Sequence, residues 1–98
     1  MSKAYVGDIG TAIEIATFVD LSSVLTKEFL VKKPDLTEHV WDADIPSGLT
    51  AADGKLVHFT EDGDFDQAGK YYIQPHVTTG STDHRGNTII LEVFDAFQ

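Results

Sequence analysis

The side chains in this sequence with the clearest capacity for chemistry are three aspartates spaced two residues apart, Asp62, Asp64 and Asp66. This spacing occurs in the first half of a helix–loop–helix calcium loop, where carboxylate oxygens ligate the ion. That motif also requires a glycine at its sixth position and a carboxylate at its twelfth, and these positions are Gln67 and Ile73. The pattern therefore favours turn-forming aspartates with solvated carboxylates, and an irregular calcium site at this corner is the alternative.

Four histidines, His39, His58, His76 and His84, are the remaining candidate metal ligands or proton carriers. No two of them have the i, i+4 spacing that brings a ligand pair onto one face of a helix. The serines lie in turns and loops rather than at a nucleophile elbow, and no glycine-rich loop opens a helix to cradle phosphate. These patterns predict a protein that is not an enzyme, with no catalytic residue, no metal site and no cofactor.

Length and composition indicate one domain spanning residues 1–98. Hydrophobic residues make up 42% of the chain, which is enough for a core at the lower end of comfortable single-domain size. The chain contains no cysteine, which excludes a disulfide framework, a cysteine zinc site and a thiol nucleophile. A cysteine-free chain also fits synthesis in a reducing cytosol.

Charge and hydropathy restrict the kinds of partner. The net charge of -9, from seven basic and sixteen acidic side chains, argues against nucleic acid, because phosphate neutralisation needs a basic surface. It favours solubility, or docking of an acidic face on a basic neighbour. We expect no membrane insertion, because no run approaches the roughly 20 apolar residues of a membrane span. The amino-terminal residues also lack the apolar segment of a secretory signal.

A polar corner that leads into an alternating strand organises the rest of the chain, at residues 65–73. Asp66 can accept hydrogen bonds from backbone N–H groups two residues on, and Gly69 can adopt a positive φ without a Cβ clash. An aromatic residue just after an acidic turn is how immunoglobulin-like sandwiches anchor one corner, with its hydroxyl reaching nearby backbone. We therefore interpret Asp66, Gly69 and Tyr71 as a structural corner.

Hydrophobic alternation with a period of two predicts the strands. They lie at residues 12–21, 24–33, 36–43, 56–60, 70–78 and 87–94. A helix over residues 21–31 is the competing interpretation, but the segment runs into Pro34, and the residue before a proline avoids helical backbone. Residues 45–54 and 79–86 are predicted loops. With a short extended piece near the amino terminus, the pattern indicates an all-β fold, an immunoglobulin-like β-sandwich of about seven antiparallel strands.

The same alternation predicts which side chains form the core. The core residues share the inward face of a strand and are Ile13, Ile15, Phe29, Val31, Trp41, Val57, Phe59, Ile73, Val77, Ile89, Leu91 and Val93. Trp41 is the one residue with two interpretations. We favour the core tryptophan of a sandwich, and an outward-facing aromatic that stacks on a ligand is the alternative.

Large apolar and aromatic side chains on the outward strand faces predict an interface. Ile90, Phe94 and Tyr72 lean outward, and exposed apolar residues on one strand face mark protein contacts. Tyr5 and Val6 join them from residues 1–10, which are a possible docking arm that only a neighbour would order.

A set of short segments carries a family resemblance when taken together. The segments are residues 8–11 before an isoleucine-rich strand, 20–22, 31–35, 64–71 and 91–94, with Trp41 and Gln74. They resemble small virion proteins of tailed bacteriophages, and they are similar to the immunoglobulin-like domain at the amino terminus of phage baseplate upper proteins. Those proteins are longer and continue into helical or receptor-facing regions, so we expect this domain to act alone.

The resemblance implies a function and a location. It implies a non-enzymatic structural component of a phage particle, in the tail or baseplate, in the neck or as a capsid decoration protein. Such a protein would be made in the host bacterial cytoplasm and incorporated into the virion. It would dock on other virion proteins, as a homo-oligomer or in multiple copies per particle. The alternative is a carbohydrate-binding module, with Trp41, Tyr71 or Tyr72 stacking on host surface glycans.

Overall fold

The computed structural model describes residues 3–97, and its regular structure is all-β apart from one 3₁₀ turn at Ala51–Asp53. The strands, in chain order, are β1 Ala4–Tyr5, β2 Ala12–Ala16, β3 Thr26–Lys32, β4 Glu38–Asp42, β5 Lys55–Phe59, β6 Gly69–Thr78, β7 Asp83–Arg85 and β8 Ile89–Phe94. Within this part of the chain no helix is long and apolar enough to cross a membrane. The prediction of an all-β chain is confirmed.

The strands form two sheets. In the larger sheet the order is β1-β8-β6-β3-β4, with β7 also paired to β6. The smaller sheet is the antiparallel pair β2-β5. Every pair is antiparallel except β1 with β8, which is parallel, so the prediction of a wholly antiparallel fold was wrong at this strand. An antiparallel bridge pairs Asp44, just after β4, with Val57 of β5. It links the two sheets through the backbone.

Three segments differ from their sequence prediction. The segment predicted as a strand over residues 12–21 ends at Ala16, because Thr17 turns towards Gly54 and Phe18 adopts a φ of 61°. The predicted loop 79–86 contains β7, whose three residues pair with the end of β6. The strand predicted over residues 24–33 begins only at Thr26, and Thr26–Lys32 is a strand, not a helix.

The amino-terminal arm is ordered by its own chain within the described residues. Ala4 and Tyr5 pair with Val93 and Phe94, and the N–H of Gly7 donates to the carbonyl of Phe65 at 2.8 Å. From residue 3 onwards this arm therefore pairs with its own chain, and a neighbour is not needed to order it. Residues 1 and 2 of the predicted arm lie outside the described residues.

Side chains from both sheets contribute to one core, which contains an aromatic cluster. Trp41 of β4 stacks on His58 of β5 with ring centroids 4.9 Å apart, and Phe29 of β3 meets the same imidazole edge-on. Phe65 and Tyr71 pack edge-to-face against each other at 5.5 Å, and both contact Trp41. Each such buried aromatic contributes about 1.5–3 kcal/mol through its burial. Trp41 is therefore the core tryptophan that the sequence favoured, not an exposed platform.

Most of the predicted core is confirmed. The confirmed members are Ile13, Ile15, Phe29, Val31, Trp41, Ile73, Val77 and Val93, while Ile89 and Leu91 are half-buried and pack against the core.

The prediction for β5 placed the wrong face inward. Phe59 is 59% exposed, whereas Leu56 and His58 point into the core opposite Ile15 and Ile13. Val57 is buried on the outer side, where the Asp44 bridge covers it. A histidine normally marks the polar face of a strand, but here the ring is buried and both of its nitrogens have hydrogen-bond partners, so the face assignment is reversed.

The predicted corner is present. Tyr71 is fully buried, its hydroxyl donates to the carbonyl of Gln67 at 2.9 Å, and it accepts the N–H of the same residue at 3.2 Å. Gly69 has a φ of 130°, and a Cβ there would lie 2.8 Å from the ring of Pro34. Position 69 therefore requires glycine for two reasons: its positive φ, and the lack of room for a Cβ atom beside Pro34.

Asp66 acts at this corner in a different way from the prediction. Its carboxylate accepts from the Lys33 ammonium at 2.9 Å rather than from the turn backbone, and the same ammonium donates to the carbonyl of Gly63 at 3.0 Å. The Lys33 side chain is 5% exposed and that of Asp66 is 51% exposed. A buried ammonium thus ties the end of β3 to the loop before β6.

The first prediction concerns the hydroxyl of Tyr71. Burial raises its pKa above the ordinary value of 10.0, and the nearby Asp66 and Asp35 carboxylates act in the same direction. Because the folded-state pKa is raised, its contribution to stability is fully present below the unfolded pKa and is lost as pH rises through the folded pKa. Tyr71→Phe should lower the free energy of unfolding at neutral pH by about 1–2 kcal/mol, since the Gln67 backbone groups lose their partner. It should also make the alkaline loss of stability shallower.

Urea denaturation between pH 7 and 11 measures both effects. Tyr72→Phe is the matched control, because the Tyr72 ring is on the exposed face of the same strand. If Tyr71→Phe and Tyr72→Phe have the same stability at pH 7, the hydroxyl does not hold the corner.

The second prediction separates the two members of the Lys33–Asp66 pair. Asp66→Ala leaves a buried ammonium with one acceptor and should cost about 1–3 kcal/mol. Lys33→Met leaves a half-solvated carboxylate and should cost less, because the apolar side chain fills the same space without a buried charge. Thermal denaturation of both variants, with Asp62→Ala as an exposed control in the same loop, tests this order. The reverse order would show that the ammonium is not the costly partner.

Candidate docking face

The outer face of the larger sheet, which points away from the smaller sheet, carries a row of apolar side chains across four strands. Leu30 lies opposite both Val40 and Gln74, and Tyr72 lies opposite Ile90. Val40 and Ile90 are about three-fifths exposed, and Tyr72 is 41% exposed. We call Leu30, Val40, Tyr72 and Ile90 the docking face. With strands about 4.8 Å apart, it spans roughly 14 Å.

Alternation along each strand explains why these residues point outward. Trp41 and Phe29 occupy the inward positions of β4 and β3, so Val40 and Leu30 must occupy the outward ones. On β6, Tyr71 and Ile73 are fully buried, which sends Tyr72 to the other side. The same contacts that build the core therefore set the composition of the docking face.

Opposite charges surround the apolar row. Lys32 lies opposite Glu38 on β4, and Lys70 lies opposite Glu92 on β8. Between β4 and β6 the surface forms a shallow cavity of about 440 Å³. Its lining includes members of the docking face together with Lys32, Glu38, His39, Gln74 and Thr88. An apolar centre with a polar rim is the arrangement that protein interfaces use.

The structure separates the predicted interface residues into two groups. Tyr72 and Ile90 are cross-strand partners on the docking face, and both are exposed. Phe94 is half-buried, with its ring centroid 6.4 Å from that of Tyr5 and 4.7 Å from the Lys3 ammonium. Phe94 and Tyr5 therefore hold β1 against β8, at the opposite edge of the sheet from β4.

Val6, the last predicted interface residue, is exposed just beyond β1. Its N–H donates to the carbonyl of Phe94 at 2.9 Å, which continues the attachment of the arm to β8.

The His58–Asp64 pair is the arrangement in this structure that most resembles a catalytic dyad. His58 Nε2 lies 2.7 Å from Asp64 Oδ2, and Nδ1 donates to the carbonyl of Asp42 at 2.6 Å. The imidazole is buried and stacked on Trp41. Both ring nitrogens are engaged, so neither is free to accept a proton from a substrate. The geometry indicates a structural pair that joins β5, β4 and the loop before β6.

The aspartate triplet does not converge on one point. Asp64 accepts from His58 and from the N–H of Glu61, whereas Asp66 accepts from Lys33. In residues 3–97 no group of three or more histidine, aspartate or glutamate side chains is arranged to hold a metal ion. The irregular calcium site considered from the sequence thus lacks a converging set of ligands at this corner.

His76 belongs to a second charged cluster, on the outer face of the larger sheet. Its Nε2 lies 2.6 Å from Asp83 Oδ1, and its Nδ1 is 3.6 Å from Glu28 Oε2, which is too long for a hydrogen bond. Arg85 also contacts Asp83 at 3.3 Å. The cluster ties β7 to β6 and β3. His39, one of the two remaining histidines, forms a hydrogen bond with the Thr37 hydroxyl.

Sequence reasoning did not include Val40 and Leu30 among the interface residues. The signal was present, because a tryptophan placed inward at position 41 sends its neighbour at position 40 outward. Lys33 was also missed, and a lysine next to a proline turn gives no sequence signal of burial.

Comparisons with protein-family models, with curated proteins and with solved structures gave no match for this chain. The argument for a docking face therefore rests on the chain's own residues and geometry.

The third prediction tests the burial of Trp41, the only tryptophan. Its fluorescence should resist iodide in the folded protein, because the indole lies between His58, Phe65 and Tyr71. Stern–Volmer quenching before and after denaturation in guanidinium is the measurement, and the unfolded chain is the control. Equal quenching in both states would mean that Trp41 is exposed and available for ligand stacking.

Proposed function

We propose that this chain is an immunoglobulin-like docking domain and a non-enzymatic structural component of a phage particle. The observation that carries the docking function is the row of apolar side chains formed by half-buried Leu30 and exposed Val40, Tyr72 and Ile90. Large apolar side chains that share one open sheet face are costly to leave in water unless a partner covers them.

Strand order supports the immunoglobulin-like part of the proposal. The chain alternates between the two sheets, with β2 and β5 in the smaller one and β3, β4, β6 and β8 in the larger one. Aromatic rings from both sheets meet in one core through the Trp41–His58 stack. Tyr71 stands near the start of β6, just after the chain leaves the smaller sheet, and bonds backbone four residues upstream. A tyrosine in this role is characteristic of immunoglobulin-type sandwiches.

The assignment to a phage particle rests on the resemblance to baseplate and other small virion proteins. In this proposal the protein is made in the host bacterial cytoplasm and is incorporated into the tail, the neck or the capsid surface. Other virion proteins are its partners, and it is present in several copies or as a homo-oligomer. Its net charge of -9 favours a partner with a basic surface.

A carbohydrate-binding module is the second candidate, and one observation favours it. Tyr72 is an exposed aromatic ring beside a cavity that also presents Lys32, Glu38 and Gln74. Trp41 and Tyr71, the other aromatic residues considered for stacking, are buried. Tyr72 is therefore the one of these three residues that could stack on a sugar. This candidate function predicts saturable binding of isolated host-surface glycans, and the Tyr72→Ala substitution should abolish that binding.

The fourth prediction tests the docking face with Ile90→Glu. Since Ile90 is exposed, we expect the free energy of unfolding to change by no more than about 0.5 kcal/mol. Incorporation into particles of the encoding phage, measured by quantitative mass spectrometry, should fall sharply, because a carboxylate would be buried against the partner. Phe94 is a poorer test site, because it packs on Tyr5 and a charge there would disturb β1.

Leu25→Glu is the matched control, since Leu25 is an exposed leucine in the turn before β3 and away from the docking face. If Ile90→Glu is incorporated as well as Leu25→Glu, the docking face is not the interface. If the wild-type protein is absent from purified particles, the virion assignment is wrong.

A further inference from the structure

Within the described residues, the outer edge of β4 has no strand partner at Glu38 and Val40. In an antiparallel pair, alternate residues direct both N–H and C=O to the partner strand. The N–H of Lys33 bonds Thr37 and that of Ala43 bonds Lys27, so the odd-numbered residues of β4 face β3. Glu38, Val40 and Asp42 consequently direct their backbone groups away from the sheet.

This edge is closed at one end and open at the other. The carbonyl of Asp42 accepts from His58 Nδ1, and Asp44 exchanges two backbone bonds of 2.9 and 2.8 Å with Val57. Among residues 3–97 no strand pairs with the edge at Glu38 or Val40. The open backbone is therefore short and ends at the His58 contact, which would limit an added strand to one register.

The side chains along the open edge alternate in a simple pattern. Glu38, Val40 and Asp42 are all exposed and share the outer side of the sheet, because Trp41 between them points into the core. A strand added to this edge would place its own side chains directly opposite Glu38 and Val40, and its next residue on that face would lie beside the Asp42 side chain. The side chains along the edge are therefore acidic, apolar and acidic in turn. Val40 also belongs to the docking face.

We propose that β4 accepts an extended segment of a partner protein as an additional strand. The segment carries a basic residue, an apolar residue and a second basic residue at alternate positions. The first two lie opposite Glu38 and Val40, and the third reaches the exposed Asp42 carboxylate just past the end of the open backbone. Backbone bonds to Glu38 and Val40 supply affinity, and the two charge pairs select the partner and its register. The proposal specifies the partner of the docking domain and so rests on the proposed function.

Charge complementarity argues against a second copy of this chain as the occupant. An antiparallel copy centred on Val40 would place Glu38 opposite Asp42 of its neighbour, twice. Like charges in directly opposed positions destabilise a strand pair, and two chains of net charge -9 also repel one another. A basic segment of a different protein reverses both effects.

The edge of β2 is the competing site for strand addition. Thr11 and Thr17 bond the backbone of Thr60 and Gly54 on the β5 side, so Ala12, Glu14 and Ala16 direct their backbone groups outward. This edge offers one acidic side chain between two alanines and does not adjoin the docking face. It serves as the internal control, because the same backbone change can be made on either edge.

The test uses a short peptide and the full chain. The probe is an acetylated, amidated peptide of threonines with lysine, valine and lysine at its second, fourth and sixth positions. A second peptide has glutamates in place of the lysines. Titration into ¹⁵N-labelled protein, followed by amide exchange, should show slower exchange of the Val40 N–H with the lysine peptide. Affinity for the lysine peptide should exceed that for the glutamate peptide roughly tenfold.

Two proline variants locate the edge. Val40→Pro removes an N–H that faces away from β3, so the internal ladder keeps its bonds, and proline is tolerated on edge strands. It should weaken binding of the lysine peptide at least about tenfold. Glu14→Pro, which makes the same change on the β2 edge, should leave binding within about twofold.

Charge-reversal variants keep the test decisive if Val40→Pro does not fold. Glu38→Lys combined with Asp42→Lys should reverse the preference between the two peptides, whereas Glu92→Lys on β8 should not. Loss of binding in Glu14→Pro with retention in Val40→Pro would overturn the proposal, as would equal affinity for both peptides. If Ile90→Glu blocks particle incorporation while Val40→Pro does not, the docking function stands and strand addition fails.

Discussion

The contact on which the rest of this structure depends is the buried imidazole of His58 stacked on Trp41. Side chains of the two sheets meet here, and the contact joins a strand of each sheet to the loop before β6. A buried polar ring is tolerated only when its donors and acceptors are matched, and both nitrogens of His58 have oxygen partners. The stack and its two hydrogen bonds together fix the distance between β4 and β5.

The same contact decides what surface the protein presents. Because Trp41 points into the core, Val40 points out, and because Asp42 is bound to His58, the free edge of β4 ends there. On β6, burial of Tyr71 and Ile73 sends Tyr72 outward beside Ile90. The docking face and the open edge are thus consequences of how the core is packed. The Lys33–Asp66 pair and the Tyr71 hydroxyl then hold the loop between β5 and β6 in place.

Strands with clean alternation were predictable from sequence, and so was most of the core. Tyr71 and Gly69 were recognised because a corner of this kind needs a ring with a polar tip and a residue free of Cβ. The face of β5 was misassigned because His58 and Phe59 have exchanged their usual environments. A histidine whose partners come from β4 and from the 61–68 loop cannot be recognised as buried from its own segment. The pairing of β1 and of β7 was missed because strands of two or three residues have no detectable period.

The sequence by itself determined that the chain is all-β and that it carries a large negative net charge. It also determined where the longer strands lie and which residues form the corner. These properties follow from local periodicity, turn chemistry and composition, each of which acts over a few neighbouring residues. Only the tertiary structure decided which strands pair, which face of β5 is buried, which predicted surface residues are exposed and which sheet edge is open. Those outcomes depend on contacts between residues distant in sequence, such as Lys33 with Asp66 and His58 with Asp42, and no local pattern encodes them.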